Sequence, residues 1–469
     1  MIIIPILLAL FTWILILWLC EQYKHINIFE QIALWFVSTL SLFVFELFLQ
    51  WIIFDKLSLL LPIITFVICL WLFVYKCIKV KWFWVELIEN IKWNFIDIKD
   101  QFKSLKIRQK ALVCVFCIYA LAKCFMAFSI NLHMPTFDED AVAWRDLKTK
   151  VYTENKALIL DKESPEYLWS AYERNIFAPL TDTYFLLASD WINVNQTDII
   201  SPIIYLLSVL VLFGILLRKW NLLFASLSWY LFTSLPFIFI HWIWSYQNLS
   251  SWVLIFILSF YFIDQLLKEK NKFIIYPLMF LWFLSATMRN ESPILSIAII
   301  LVSLLFHIIL DKKQNYNKET LKYTWIILWA LIIWTISMKI MNSLAPTELW
   351  VWFKDDWVVS TFFEHLMWWW LISQMLEQWF LHPDFNILYL ALVILIILSI
   401  IIKIKYKEIF IYFVPFITLI GWTVAMLIYN LDVRVWYFWF VRYSAVYIIF
   451  MAFLLTYLLY LVYQKILEK

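Results

Sequence analysis

Apolar runs of about eighteen residues or more recur from one end of this chain to the other, and that recurrence decides its solvent before anything else is read. A helix needs about 20 apolar residues to cross a hydrocarbon core of about 30 Å. The runs are continuous rather than alternating, so they read as helices and not as strands of a barrel. Taken by length, they predict spans near 3–20, 28–53, 58–76, 111–130, 199–217, 221–241, 250–267, 274–288, 294–311, 323–341, 386–402, 409–429 and 445–464. The expected fold is therefore all-α, a polytopic transmembrane bundle of about 13 spans with loop helices on its outer face. Composition agrees: the 469 residues are 65% hydrophobic and only 15% charged, against about 25% charged in an ordinary soluble chain. A nucleic-acid partner is not suggested, and no soluble domain of ordinary size is left over.

The segments between spans alternate in charge. Those assigned to the inside carry 24 of the 37 Lys and Arg residues, among them nine between Lys76 and Lys110, the pair Arg218 and Lys219, and Lys268, Lys270 and Lys272. By the positive-inside rule this places the C-terminus in the cytoplasm and, with thirteen spans, the N-terminus outside. Residues 1–110 then form three spans plus a basic amphipathic inner segment, and 111–469 form the larger transmembrane part. Two outer segments, 131–197 and 343–386, are too long to be mere connections. Both mix aromatic and charged residues, as helices lying on a membrane surface do. No cleavable signal is evident after the first span, where Cys20, Glu21 and Gln22 replace a small-residue cleavage site.

The six cysteines lie in or beside spans and none falls in an outer loop, so no disulfide framework is expected. Cys114 and Cys117 read as thiols on a helix face. Glycine and tryptophan are more informative. The chain has 2 Gly and 30 Trp, whereas glycine usually supplies about 7% of residues, roughly 33 here. Glycine is also favoured where membrane helices approach closely. The arithmetic points to a source that reads UGA as glycine, with Trp325 and Trp329 and the run Trp368, Trp369 and Trp370 as natural candidates. A genuinely Trp-rich chain is the alternative.

The densest polar constellation follows the fourth span: His133, then Asp138, Glu139 and Asp140, then Arg145. Adjacent carboxylates repel, which favours a proton, a cation or a substrate among them, and one of them can act as general base toward a hydroxyl. A solvated acidic turn opening a loop helix is the competing reading. Single charges within spans have similar pairs of readings. Lys123 and Lys339 can snorkel to headgroups. Glu46 reads first as a helix–helix hydrogen bonder. His241 and His365 are too far apart in sequence to suggest a metal, and Asp355, Asp356 and Glu364 read as a solvated loop face.

The stretch Pro135, Thr136, Phe137, Asp138, Glu139, Asp140, Ala141 after a hydrophobic span resembles the first-loop motif of the GT-C class of membrane glycosyltransferases, which includes protein mannosyltransferases and lipid A aminoarabinose transferases. The resemblance continues through Phe177 to Thr181, with Ala178 where a proline often stands, and through His241, Tyr246 and Asn248, with Asn248 in place of an aspartate. Thr287, Arg289, Asn290 and Glu291 are similar to the family's Thr-Lys-Asn-Glu, and Arg442 and Tyr443 to its Arg-Tyr. These matches run from about 135 to 443 and leave the first three spans outside.

The resemblance implies an inverting transferase in the cytoplasmic (inner) membrane that passes a sugar from a polyprenyl-phosphate donor to a glycan, lipid or protein acceptor on the outer face. Asp138 would take the acceptor proton, with Glu139 and Asp140 beside it. Arg289 would be first among the cations meeting the lipid phosphate, with Lys123, Lys148 and Arg442 behind it, and Glu291, His241 and Tyr246 would line the sugar site. No cofactor is expected; some relatives use a divalent cation and many do not. A polytopic transporter or lipid flippase is the main alternative, although polar residues gather at the outer ends of spans rather than at the midplane. An O-antigen ligase or polymerase is a second alternative, which would lead with arginines and histidines rather than carboxylates.

Overall fold

The computed structural model describes residues 3–19, 26–80, 82–133, 147–159, 177–188, 200–236, 239, 259–271, 274–275, 278–279, 292–310, 318–344, 388–402, 412–421 and 436–467. Among them there is no strand. In chain order the helices are α1 (Ile3–Leu19), α2 (Ile28–Phe54), α3 (Leu60–Lys79), α4 (Phe83–Ser104), α5 (Ile107–His133), α6 (Leu147–Asn155), α7 (Phe177–Leu186), α8 (Ile200–Lys219) and α9 (Leu222–Ser234). A π-helical turn at Phe262–Lys268 follows, then α10 (Ser292–Leu310), α11 (Lys318–Leu344), α12 (Leu388–Ile401), α13 (Tyr412–Gly421) and α14 (Trp436–Leu467).

Proline sets many of the starts. Pro5, Pro62, Pro179, Pro202, Pro293 and Pro415 all fall in the first turn of their helices, where a missing N–H loses no intrahelical bond. Pro236 lies just beyond the end of α9. Asparagine supplies two further starts. Asn27 caps α2, accepting from the N–H groups of Phe29 and Glu30 while Glu30 reaches back to the Asn27 N–H, a complete capping box. Asn221 caps α9 by accepting from the Phe224 N–H at 3.1 Å.

The bundle is all-α, and its surface is that of a membrane protein. Ile28–Phe54, Leu60–Lys79, Ile107–Asn131 and Ile449–Leu467 are each long and apolar enough to cross a bilayer, and shorter apolar helices accompany them. On α3 and α5 the outward faces are themselves apolar: Trp71, Ile118 and Phe125 are 64%, 67% and 74% exposed. Surface of that extent has no place in water and belongs against lipid. α2 is the central element, packed by α1, α3, α7 and α8, while α9 is held by α5, α8 and α14. α4 runs along one end of the bundle, burying Phe83 and Leu87 and exposing Trp93 and Phe95.

The contacts sort the connecting segments into two groups. At one end Lys76 donates to the Leu19 carbonyl at 2.8 Å, Gln109 to the Tyr463 hydroxyl, and the Leu222 N–H to the Gln101 side chain. At the other, Tyr184 donates to the Pro5 carbonyl at 2.8 Å and the Leu57 N–H to the Lys156 carbonyl. Every one of these pairs joins two segments that the charge alternation had assigned to the same side. The first group gathers the basic segments and is called the basic end below.

Within the segment 131–197, α6 keeps an exposed charged face, with Lys150 and Glu154 paired at 3.9 Å, whereas α7 turns inward. α7 packs on α1 and α2, with α6 against it, and residues 179–186 are buried. The physical reason is its sequence: Leu180, Tyr184, Phe185 and Leu186 supply a full apolar face that α2 covers, with the Tyr184 ring 5.5 Å from that of Phe43.

Candidate functional site

The acidic motif Asp138, Glu139 and Asp140 lies outside the described residues, as do Arg289, Glu291, His241 and Tyr246. Three of the expected cations fall within them. Lys123, on α5, places its ammonium 4.0 Å from the ring centroid of Phe239 and 5.9 Å from that of Tyr119, so its charge rests on aromatic faces. Lys148, on α6, is buried at 7% exposure, beside Thr149 and one turn before Tyr152. Arg442 belongs to the backbone of α14, near its start.

Around Lys148 the end opposite the basic one is unusually polar inside. Thr149, Thr153, Thr181, Asp182 and Thr183 are all buried. Thr183 donates to the Pro179 carbonyl at 2.8 Å and Thr153 to that of Thr149 at 2.7 Å, each along its own helix, while Thr149 reaches across to the Pro179 carbonyl at 3.4 Å. α6 and α7 thus carry a buried lysine and a buried aspartate into the bundle.

The strongest ionic arrangement is at the basic end, and the sequence reading did not anticipate it. Arg218, at the end of α8, forks onto Glu30 of α2, Nε at 2.9 Å and Nη2 at 3.1 Å, and the same Nη2 reaches Asp264 at 2.7 Å. Lys219 is also ion-paired with Asp264. Tyr261 donates to Glu30 at 3.0 Å and Tyr412 of α13 to Asp264 at 2.8 Å. The ammonium of Lys268 lies 4.2 Å from the Tyr412 ring centroid. All four oxygens of the two fully buried carboxylates are therefore occupied, counting the Asn27 N–H on Glu30 and the Gln265 amide on Asp264.

This node ties α2, α8, the π-helical turn and α13 together. Two signals for it were available. Asn27 and Glu30 stand at capping-box spacing before an apolar run, and Asp264 is an acidic residue inside a predicted span, which calls for a partner. Arg218 and Lys219 were read only as markers of sidedness.

Gly214 makes the node geometrically feasible. A Cβ there would lie 2.7 Å from Asn27 Oδ1, 2.7 Å from Glu30 Cγ and 2.9 Å from the Glu30 nitrogen. Asn27 also donates its side-chain amide to the Gly214 carbonyl. The cap of α2 is thus seated directly on the backbone of α8.

The described cysteines are free, with Cys114 exposed on α5 and Cys117 half-buried a turn away. Among the described residues no group of three or more His, Cys, Asp or Glu is placed to hold a metal ion. Glu46, read as a helix–helix hydrogen bonder, accepts from Thr65 of α3 at 2.5 Å. Comparison of the chain with protein-family models, with curated proteins and with solved structures gave no match in any of the three.

Proposed function

We propose that this chain is a polytopic membrane glycosyltransferase of the GT-C kind, with about 13 spans, that moves a sugar from a polyprenyl-phosphate donor to an acceptor hydroxyl on the outer face, with inversion. The observation that carries the reading is the inward folding of the first outer loop. Burying charged side chains is costly, and α6 and α7, which follow the acidic motif in sequence, bury Lys148 and Asp182 inside the bundle. A mere connection would leave such groups in water. At the basic end, by contrast, the two fully buried carboxylates, Glu30 and Asp264, are already saturated by the node.

In this reading Asp138 removes the acceptor proton as the hydroxyl attacks the anomeric carbon, and the bond to the lipid phosphate breaks. Cations at the phosphate oxygens stabilise the leaving group. Arg289 is assigned this task first, with Lys123, Lys148 and Arg442 in support, while Glu139, Asp140, Glu291, His241 and Tyr246 shape the sugar site. A lipid donor arrives sideways from the bilayer, so chemistry at span ends suits it.

The test is consumption of a panel of polyprenyl-phosphate sugars by the purified protein. Asp138→Asn is expected to lower transfer about 10²- to 10⁴-fold while the protein still inserts. Unchanged turnover removes Asp138 from the role. If the wild type consumes no donor, the transporter or flippase reading takes precedence; that alternative draws support from the carboxyl Glu46 inside α2.

A further inference from the structure

Glu46 and Gln50 stand one turn apart on the same face of α2, 9% and 3% exposed. Glu46 lies eight residues before the end of α2, roughly 12 Å along the helix axis, well inside its apolar stretch. One carboxyl oxygen accepts from Thr65, and the Gln50 amide donates to Ser58. The remaining two oxygens, Glu46 Oε2 and Gln50 Oε1, are buried with no hydrogen-bond partner among the described residues.

In the node at the other end of α2, Glu30 and Asp264 have every carboxylate oxygen filled. Among the described residues no cation does the same at Glu46. α1 contains no ionisable residue, and the basic residues of α8, Arg218 and Lys219, lie at the opposite end. α7 brings Tyr184 within electrostatic reach and carries Asp182 two residues earlier. On α3 the nearest ionisable group is Cys69, one turn beyond Thr65, with Tyr75, Lys76, Cys77 and Lys79 farther on. Two acceptors on adjacent turns, both without a hydrogen-bond partner among the described residues, suit one positive charge.

We propose that Glu46 and Gln50 form a reversible binding site for a single monovalent cation, either a proton or an alkali ion. A proton on Oε2 would turn the carboxyl into a donor one helical turn from the amide oxygen, and an alkali ion would take both oxygens as ligands. Either ligand neutralises Glu46, which an apolar setting favours strongly. The site stands apart from the proposed transferase chemistry, because it lies in the first three spans and uses none of the residues assigned there.

The test uses dicyclohexylcarbodiimide, a hydrophobic reagent that modifies protonated carboxyls in apolar surroundings, on the full chain in detergent micelles, with peptide mass spectrometry as readout. Glu46 is expected to be modified, while Glu30 and Asp264 are not. Labelling that falls about tenfold per pH unit on the alkaline side identifies the proton. Protection by sodium chloride but not by choline chloride at fixed pH identifies the alkali ion. Gln50→Leu is expected to weaken that protection or shift the pH profile, and Glu46→Gln controls for the site of modification. Absence of labelling at every pH, or labelling indifferent to both pH and sodium, overturns the proposal; the latter would mark a permanently neutral structural acid.

Discussion

The two glycines of this chain should respond to the same substitution in opposite senses. Replacing Gly214 with Ala puts a methyl group 2.7 Å from Asn27 Oδ1 and Glu30 Cγ and 2.9 Å from the Glu30 nitrogen, about an ångström inside ordinary contact. None of the three atoms is free to retreat. Asn27 Oδ1 holds the N–H groups of Phe29 and Glu30 at 3.1 Å, the Glu30 side chain is clamped by Arg218, and the third atom is backbone. Alanine gains about 1 kcal/mol over glycine in a helix interior. Overpacking costs about 1–3 kcal/mol, and loss of the α2 cap costs about 1 more. The net expectation is a loss of about 1–3 kcal/mol, rising if Glu30 is pushed off Arg218. At Gly421 an added Cβ meets nothing within 4 Å, so Gly421→Ala should be neutral or stabilising by up to about 1 kcal/mol. Equilibrium unfolding of both variants in mixed micelles measures the difference. A Gly214→Ala protein as stable as the wild type would refute the seating of α2 on α8, and with it the node's geometry.

Arg218→Met should destabilise by about 3–5 kcal/mol, since it strands two buried carboxylates; adding Glu30→Gln and Asp264→Asn should recover part of that loss in the same unfolding assay. Trp229→Phe should cost about 1 kcal/mol, because it removes the indole hydrogen bond to the Val209 carbonyl but keeps a ring near Phe213, now 4.2 Å away. If the source reads UGA as glycine, peptide mass spectrometry of the protein made in its native host should find glycine at Trp13 and Trp51. Their buried indole N–H groups lack any acceptor among the described residues, at a cost of about 1–3 kcal/mol each. Tryptophan at both positions would remove the structural support for recoding. Trp325 and Trp329, 58% and 59% exposed on α11, would as glycines leave a smooth stripe suited to a second helix.

The parts of the fold governed by local physics could be read in the sequence. Continuous apolar length marked the helices, first-turn prolines and asparagine caps set several starts, and charge alternation sorted segments that the contacts then joined at common ends. What escaped was everything decided by pairing between distant segments. Asn27 and Gly214 are 187 positions apart, Arg218 and Glu30 188, and Tyr412 and Asp264 148; no periodicity links them. A single residue type also serves opposite ends. Arg218 looks like any other positive-inside arginine until Glu30 and Asp264 are placed beside it, and Glu46 looks like Glu30 until one carboxylate proves to have all its oxygens filled and the other does not. The contrast within one helix is the more informative because both residues share the same backbone and nearly the same burial. Whatever requires Glu30 to be saturated should have saturated Glu46 as well, unless its open oxygen is kept for a ligand that comes and goes.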